Sequence, residues 1–214
     1  MAFGPVRSFA LRALLWLPAS FVLWFICAPL VVWPALLLAK PVLLGVFGEI
    51  WSAAALGGEF HDATGRVLGH AGYLVSLTSV PVEVPGAPGA PGGMAELQPI
   101  INPMIYGYAL PLFAGLAMAT PVPPRRRLLQ LALALAVIWL GQAFAIVAES
   151  LKVLAFDAGE AGVALVGRSG IPASAIALGY QLGYLILPAV LPVALWIGLN
   201  RRFIEDLVDR GGNP

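Results

Sequence analysis

Three groups of polar and aromatic residues interrupt apolar stretches of this chain. Asn102, Tyr106 and Tyr108 stand in NPMIYGYALP; Gln142, Glu149 and Lys152 in GQAFAIVAESLK; and Tyr180, Gln181 and Tyr184 in GYQLGYLILP. On a helix, Gln142 and Glu149, seven residues apart, share a face, and Glu149 and Lys152, three apart, are spaced to pair. A carboxylate beside a lysine can serve as a general base when its environment brings its proton affinity near the working pH. Amides and phenols at the same level can instead grip a peptide, a lipid head group or another helix. Polar residues in apolar helices are functional candidates by default. The ordinary reading competes with that one: tyrosines populate the aromatic belt at a membrane surface, and a membrane glutamine commonly bonds across to a neighbouring helix at roughly 0.6 kcal/mol.

Other chemistry is sparse. The sequence has no GxSxG, HExxH or P-loop motif, and no GxGxxG at a strand-to-helix junction. His61 and His70, with Glu59 and Asp62 beside the first, do not follow a metal-ligand spacing. Cys27 is a lone thiol in an apolar run, which is ordinary for a free cysteine. No catalytic, cofactor-binding or metal-binding residue emerges. The one basic run, RRR at 125–127, reads as a membrane flank and not as a nucleic-acid contact.

These candidates must be carried by membrane helices. The chain is 60% hydrophobic and only 11% charged, with mean hydropathy +0.89; a soluble domain is typically about 25% charged. Residues 11–39, 104–120, 128–148 and 174–199 are each apolar over a length near the roughly 20 residues that a crossing needs. The first run is too long for a signal-peptide core, so it reads as an uncleaved anchor, with Pro18, Pro29 and Pro34 kinking or tilting it to fit the bilayer. The expected fold is an all-α integral membrane protein with four transmembrane helices.

Arg7, Arg12, Arg125, Arg126, Arg127, Arg201, Arg202 and Arg210 fall on one side of that arrangement, and Lys40, Arg66, Lys152 and Arg168 on the other. The positive-inside rule then puts both termini in the cytoplasm and the polar and tyrosine-bearing helix ends outside. The expected divisions are 1–39 (N-terminus and first crossing), 40–103 (first outer loop), 104–148 (second and third crossings), 149–173 (second outer loop) and 174–214 (fourth crossing and tail). In the first loop, PVLLGVFGEIWSAAALGGEF reads as a helix lying at the interface. YLVSLTSVPVEV reads as a strand, PGAPGAPGG as a turn and AELQPIIN as a returning strand, together a small extracytoplasmic β-hairpin or sheet fragment. In the second, breaks at Gly159 and Gly162 and an N-cap at Ser174 are expected.

The runs NPMIYGYALPLFAGLAMAT, AFAIVAESLKVLAF and AIALGYQLGYLILPAVLPVALWIGLNRRF resemble the bacterial exosortase H-associated membrane proteins, closely over residues 102–203 and loosely over the first helix. The resemblance implies a multi-pass inner-membrane accessory protein in a Gram-negative surface-protein sorting system, partnered by membrane lipids and by a membrane-embedded transpeptidase or its tagged substrate. It does not imply the sorting chemistry, because Cys27 has no positive charge placed to stabilise a thiolate. Three readings follow: a non-enzymatic subunit binding through an outward-facing polar and aromatic groove; a membrane enzyme acting on lipid or peptide with Glu149 as general base; and a small-solute transporter. The transporter ranks last because such proteins bring polar groups to the bilayer midplane.

Overall fold

The first apolar stretch folds as two helices, α1 (Pro5–Ile26) and α2 (Ala28–Pro41), which meet at Cys27. Pro29 sits in the first turn of α2, where its missing N–H costs nothing; farther inside a helix its ring would strike the preceding turn. The helices run on through Pro18 and Pro34, so of the three prolines only Pro29 lies beside a break. A π-helical turn (Val42–Val46) prolongs α2. The later helices are α3 (Ala109–Ala119), α4 (Pro124–Lys152), α5 (Gly159–Gly167), α6 (Ala173–Gln181), α7 (Leu187–Leu199) and α8 (Arg201–Gly211). The computed structural model of the chain describes residues 5–61, 64–84 and 92–211. Most of the Pro/Gly-rich turn, 85–91, and Asp62 of the EFHD motif lie outside the described residues.

Among the described residues, four helical segments are long and apolar enough to cross a membrane: Val6–Ile26, Ala28–Val46, Pro124–Asp157 and Ala173–Leu199. The number is the one expected, but the membership differs. The 104–120 stretch makes a 3-10 turn (Pro103–Ile105) and then the short α3, only 11 residues long. Thr120 takes an extended conformation (ψ 129°), as the residue ahead of a proline is biased to do. Leu14, Leu15, Val22, Leu23 and Ile26 of α1 are each 60% or more exposed. Water would charge about 1.5–3 kcal/mol for each such side chain, whereas hydrocarbon takes them at no cost.

The chain divides into two units, residues 1–27, 107–138 and 186–214 in one, and residues 28–106 and 139–185 in the other. In the first, α3 packs on α1 and on α7. The approach to α1 is at backbone distance: a Cβ on Gly115 would lie 2.9 Å from the Leu17 Cα. This end of the sequence reads as almost purely aliphatic, yet several of its few polar side chains find partners, although Gln130 Oε1 and Arg127 Nε do not. Gln130 Nε2 donates to Asn200 Oδ1 (2.9 Å) and to the Leu199 carbonyl (3.0 Å). Trp196 Nε1 donates to Thr120 Oγ1 (2.9 Å).

In the second unit, α2 packs on a sheet. Strand β1 (Trp51–His61) pairs antiparallel with β2 (Val67–Ser79), whose other edge takes the short β5 (Ile100–Ile101). A separate two-stranded ladder joins β3 (Val82–Val84) to β4 (Gly93–Ala95). The sheet fragment is therefore present and larger than a hairpin. The interfacial helix is present only as the turn to Val46; residues 51–61 are β1 instead. The alanines of β1 favour a helix, but β2 needs a partner on that edge, and pairing overrides propensity. Two glycines make it possible. Gly57, at φ +103°, carries a bulge, and a Cβ on Gly58 would come within 3.0 Å of Ile100 Cγ2. The chain turns after α4 at Gly159 (φ +64°), whereas Gly162 lies inside α5 and does not break it. The N-cap of α6 is Pro172 and not Ser174; its ring holds φ near the −67° found there, and its ψ of 144° gives the extended geometry of a cap position.

Gly115→Ala is expected to lower stability in detergent by about 1–3 kcal/mol, since an added methyl there overpacks a backbone contact. Gly198→Ala, where nothing lies within 4 Å of the new Cβ, should cost nothing. Thermal unfolding of the two variants against wild type checks both.

Candidate functional site

Five of the nine candidate residues come together in the sheet-bearing unit: Tyr106, Glu149, Lys152, Tyr180 and Tyr184. Tyr106 follows the 3-10 turn that opens at Pro103, whose N-terminus is capped by Asn102 Oδ1 accepting from the Met104 amide (3.1 Å). Asn102 thus sets the course of the backbone before Tyr106 instead of joining the cluster. Glu149 and Lys152 lie on the last turns of α4. Tyr180 is the penultimate residue of α6, and Tyr184 lies in a π-helical turn (Leu182–Ile186) that links α6 to α7.

The contact between α4 and this turn is made by small residues. A Cβ on Gly183 would stand 2.9 Å from the Ala145 Cα, so the two backbones all but touch. Such close approach is how helices associate in lipid, where no hydrophobic force drives them together. It sets Tyr184 against Tyr106 (ring centroids 6.3 Å apart) and against Tyr180 (5.0 Å).

Lys152 pairs differently from the expectation. Its Nζ bonds Asp157 Oδ2 at 2.6 Å and lies 5.4 Å from the Tyr180 ring centroid, within range of a cation–π attraction. The reason is a second π-helical turn, Val153–Asp157, that continues α4. On an α-helix, residues five apart point well away from each other; the wider π turn brings them to one side. Asp157 is the residue that the sequence reading missed, because five is not an α-helical spacing and a π turn leaves no signature in residue types.

With Lys152 committed to Asp157, the remaining polar atoms are short of partners. Tyr106 is 1% exposed, and its hydroxyl faces the Glu149 carboxylate closely enough to interact with it as a weak side-chain hydrogen bond, although no partner meets it at full hydrogen-bond geometry. Glu149 Oε2 is likewise buried and unpartnered, as is Oε1 of Gln142, on the same helix face two turns back. Burial without a partner typically costs such a group about 1–3 kcal/mol. The arrangement therefore offers acceptors, and the Tyr106 hydroxyl, to an incoming group rich in N–H or O–H donors.

The other two candidates do not contribute to this cluster. Gln181 is exposed, since one residue beyond Tyr180 is about 100° around the helix. Tyr108 is half-buried at the N-cap of α3, in the other unit. Among the described residues no group of three or more His, Cys, Asp or Glu side chains is arranged to hold a metal ion.

A family model for exosortase H-associated membrane protein matches residues 4–203. No curated protein and no solved structure matches the chain.

Tyr106→Phe keeps the ring that meets Tyr184 and deletes a buried hydroxyl that reaches Glu149 without full hydrogen-bond geometry, so it is expected to change stability by no more than about 1 kcal/mol. A clear loss of stability in chemical denaturation would show instead that the hydroxyl is bonded in the folded protein.

Proposed function

Because the chain belongs to the exosortase H-associated membrane proteins, we propose that it is a non-enzymatic accessory subunit of surface-protein sorting. In this reading it binds the sorting transpeptidase, or its tagged substrate, through the cluster of Tyr106, Glu149, Tyr180 and Tyr184. The observation that carries the proposal is the set of buried oxygens on Tyr106, Gln142 and Glu149 that no group meets at full hydrogen-bond geometry. A protein that gained nothing from them would lose little by replacing them with apolar groups of similar shape. A partner presenting backbone amides, hydroxyls or a cation would satisfy them, and the tyrosine rings would supply rigid apolar contact at low entropic cost.

The orientation belongs to the same proposal. Eight of the twelve basic residues stand at the ends of the apolar stretches on the side of the termini, which makes the termini cytoplasmic in a bacterial inner membrane and turns the tyrosine cluster outward. That is the side on which a surface-protein sorting enzyme must meet its substrate.

A membrane enzyme with Glu149 as general base is the second reading, favoured by the open Oε2 of that carboxylate. Against it, the other carboxylate of the cluster, Asp157, is tied to Lys152, so no separate acid is poised beside the base.

Affinity capture of the tagged protein from its native membrane, followed by mass spectrometry, tests the proposal. Recovery of a multi-pass exosortase or its tagged substrate is expected. Tyr106→Phe and Glu149→Ala should each reduce that recovery about tenfold, the value of one hydrogen bond to a charged or buried group, while Gln181→Ala leaves it unchanged. Undiminished recovery with both cluster variants would remove the cluster from the interface. Turnover of labelled lipid or peptide by the purified chain, abolished in Glu149→Gln, would favour the enzyme.

A further inference from the structure

The unit that carries the termini holds a groove of about 430 Å³ lined on its polar side by Ser8, Arg12, Arg126, Arg202 and Asp206. Three guanidiniums against one carboxylate leave it a net charge of +2. Its apolar wall includes Phe9 and Phe203, held in place by ring contacts: Phe9 stacks on Trp196 (5.6 Å) and meets Phe203 (5.5 Å).

Two of these arginines sit where helix electrostatics disfavours them. A helix N-terminus carries partial positive charge and prefers an acidic side chain. The first turn of α4 contains Arg125, Arg126 and Arg127, that of α8 contains Arg201 and Arg202, and neither contains an acid. Arg126 and Arg202, from these two helix starts, line the same groove. Arg126 spends one donor on the Leu199 carbonyl (3.0 Å), a small part of the five N–H groups a guanidinium carries. Among the described residues neither Arg12 nor Arg202 forms an ion pair within the protein. A single anion in the groove would offset both unfavourable helix starts and be held by guanidiniums, the side chain best shaped for phosphate.

The groove also lies where apolar spans end. Arg126 is in the opening turn of the span Pro124–Asp157, Arg202 follows the end of Ala173–Leu199, and Arg12 lies near the start of Val6–Ile26. A charged groove with an aromatic wall at such a boundary suits a ligand that is anionic at one end and apolar at the other. We propose that this groove binds the phosphate-bearing head group of an anionic glycerophospholipid, with the upper acyl chain against Phe9 and Phe203. The groove residues and the tyrosine cluster belong to different units, and the proposal does not depend on the exosortase reading.

The test uses the full-length protein in mild detergent, with lipid retention read by native mass spectrometry. Wild type is expected to retain phosphatidylglycerol at least about tenfold over phosphatidylcholine. The double variant Arg12→Gln, Arg202→Gln should lose about tenfold or more of that preference, from a worth of about one log unit or less per basic residue near a lipid phosphate. Arg125→Gln, whose side chain does not line the groove, should lose much less. Equal retention of the two lipids, or an equal loss in Arg125→Gln, would overturn the proposal, because the selectivity would then be diffuse or absent. Displacement of phosphatidylglycerol by millimolar inorganic phosphate would overturn it in favour of a soluble anion. If the double variant does not fold, a photoactivatable phosphatidylglycerol on the wild type decides: labelling of peptides containing Phe9 or Phe203 supports the site, and labelling only elsewhere refutes it.

Discussion

Hydrocarbon offers a polypeptide no hydrogen-bond partner, so a chain that crosses it must match its buried donors and acceptors from within. At the ends of α3 and α7 this protein does so with its own side chains. The Leu199 carbonyl, left open at the end of α7, accepts from both Arg126 and Gln130. The Thr120 and Val122 carbonyls, in the proline-rich link after α3, accept from Arg127 at 3.1 and 3.4 Å. In the other unit, Trp139 donates across to the Val31 carbonyl at 3.1 Å. Other buried polar atoms lack a full partner, among them Gln130 Oε1, Arg127 Nε, Gln142 Oε1 and the indole N–H groups of Trp24 and Trp51; the oxygens of Tyr106 and Glu149 differ from these in lying together among the tyrosine rings.

Close backbone approach is the second requirement, and glycine meets it at two helix crossings. Gly115 lets α3 lie against α1, and Gly183 lets the turn between α6 and α7 lie against α4. Dispersion between well-fitted surfaces is the main attraction left between helices in lipid, so losing a few tenths of an ångström there costs more than the same change on a water-facing surface. The Gly183 contact also carries the site, since it fixes the distance between the tyrosines of one helix and Glu149 of the other.

The π-helical turns show how side chains reach positions that an α-helix would deny them. Val153–Asp157 swings Asp157 under Lys152, which leaves Glu149 without its nearest cation, and Leu182–Ile186 advances Tyr184 toward Tyr106. Such turns are locally poorer in hydrogen-bond geometry than an α-helix, and they persist where the surrounding packing or the function requires them. The tyrosine cluster has one on each of its two main helices.

Composition and charge alone determined that the chain faces lipid, that it has four long apolar helices, and that its polar and aromatic residues gather away from the arginines. These follow from residue type and short-range spacing, which hydrophobicity reads directly. The break at Cys27, the shortness of α3 and the strand at Trp51–His61 were decided by tertiary structure. There, prolines and the pairing needs of β2 outweighed a local preference that the alanine-rich sequence states plainly. The site divides in the same way. Glu149, Lys152 and the tyrosines were recognisable as polar residues in apolar surroundings, but which of them meet depended on two π turns and one glycine contact. Gln181 lay one residue on the wrong side of its helix, and Asp157 entered at a spacing of five. Side-chain direction turns through about 100° with each residue, so a single residue of helical phase separates a member of the cluster from an exposed neighbour, and only the packed structure sets that phase.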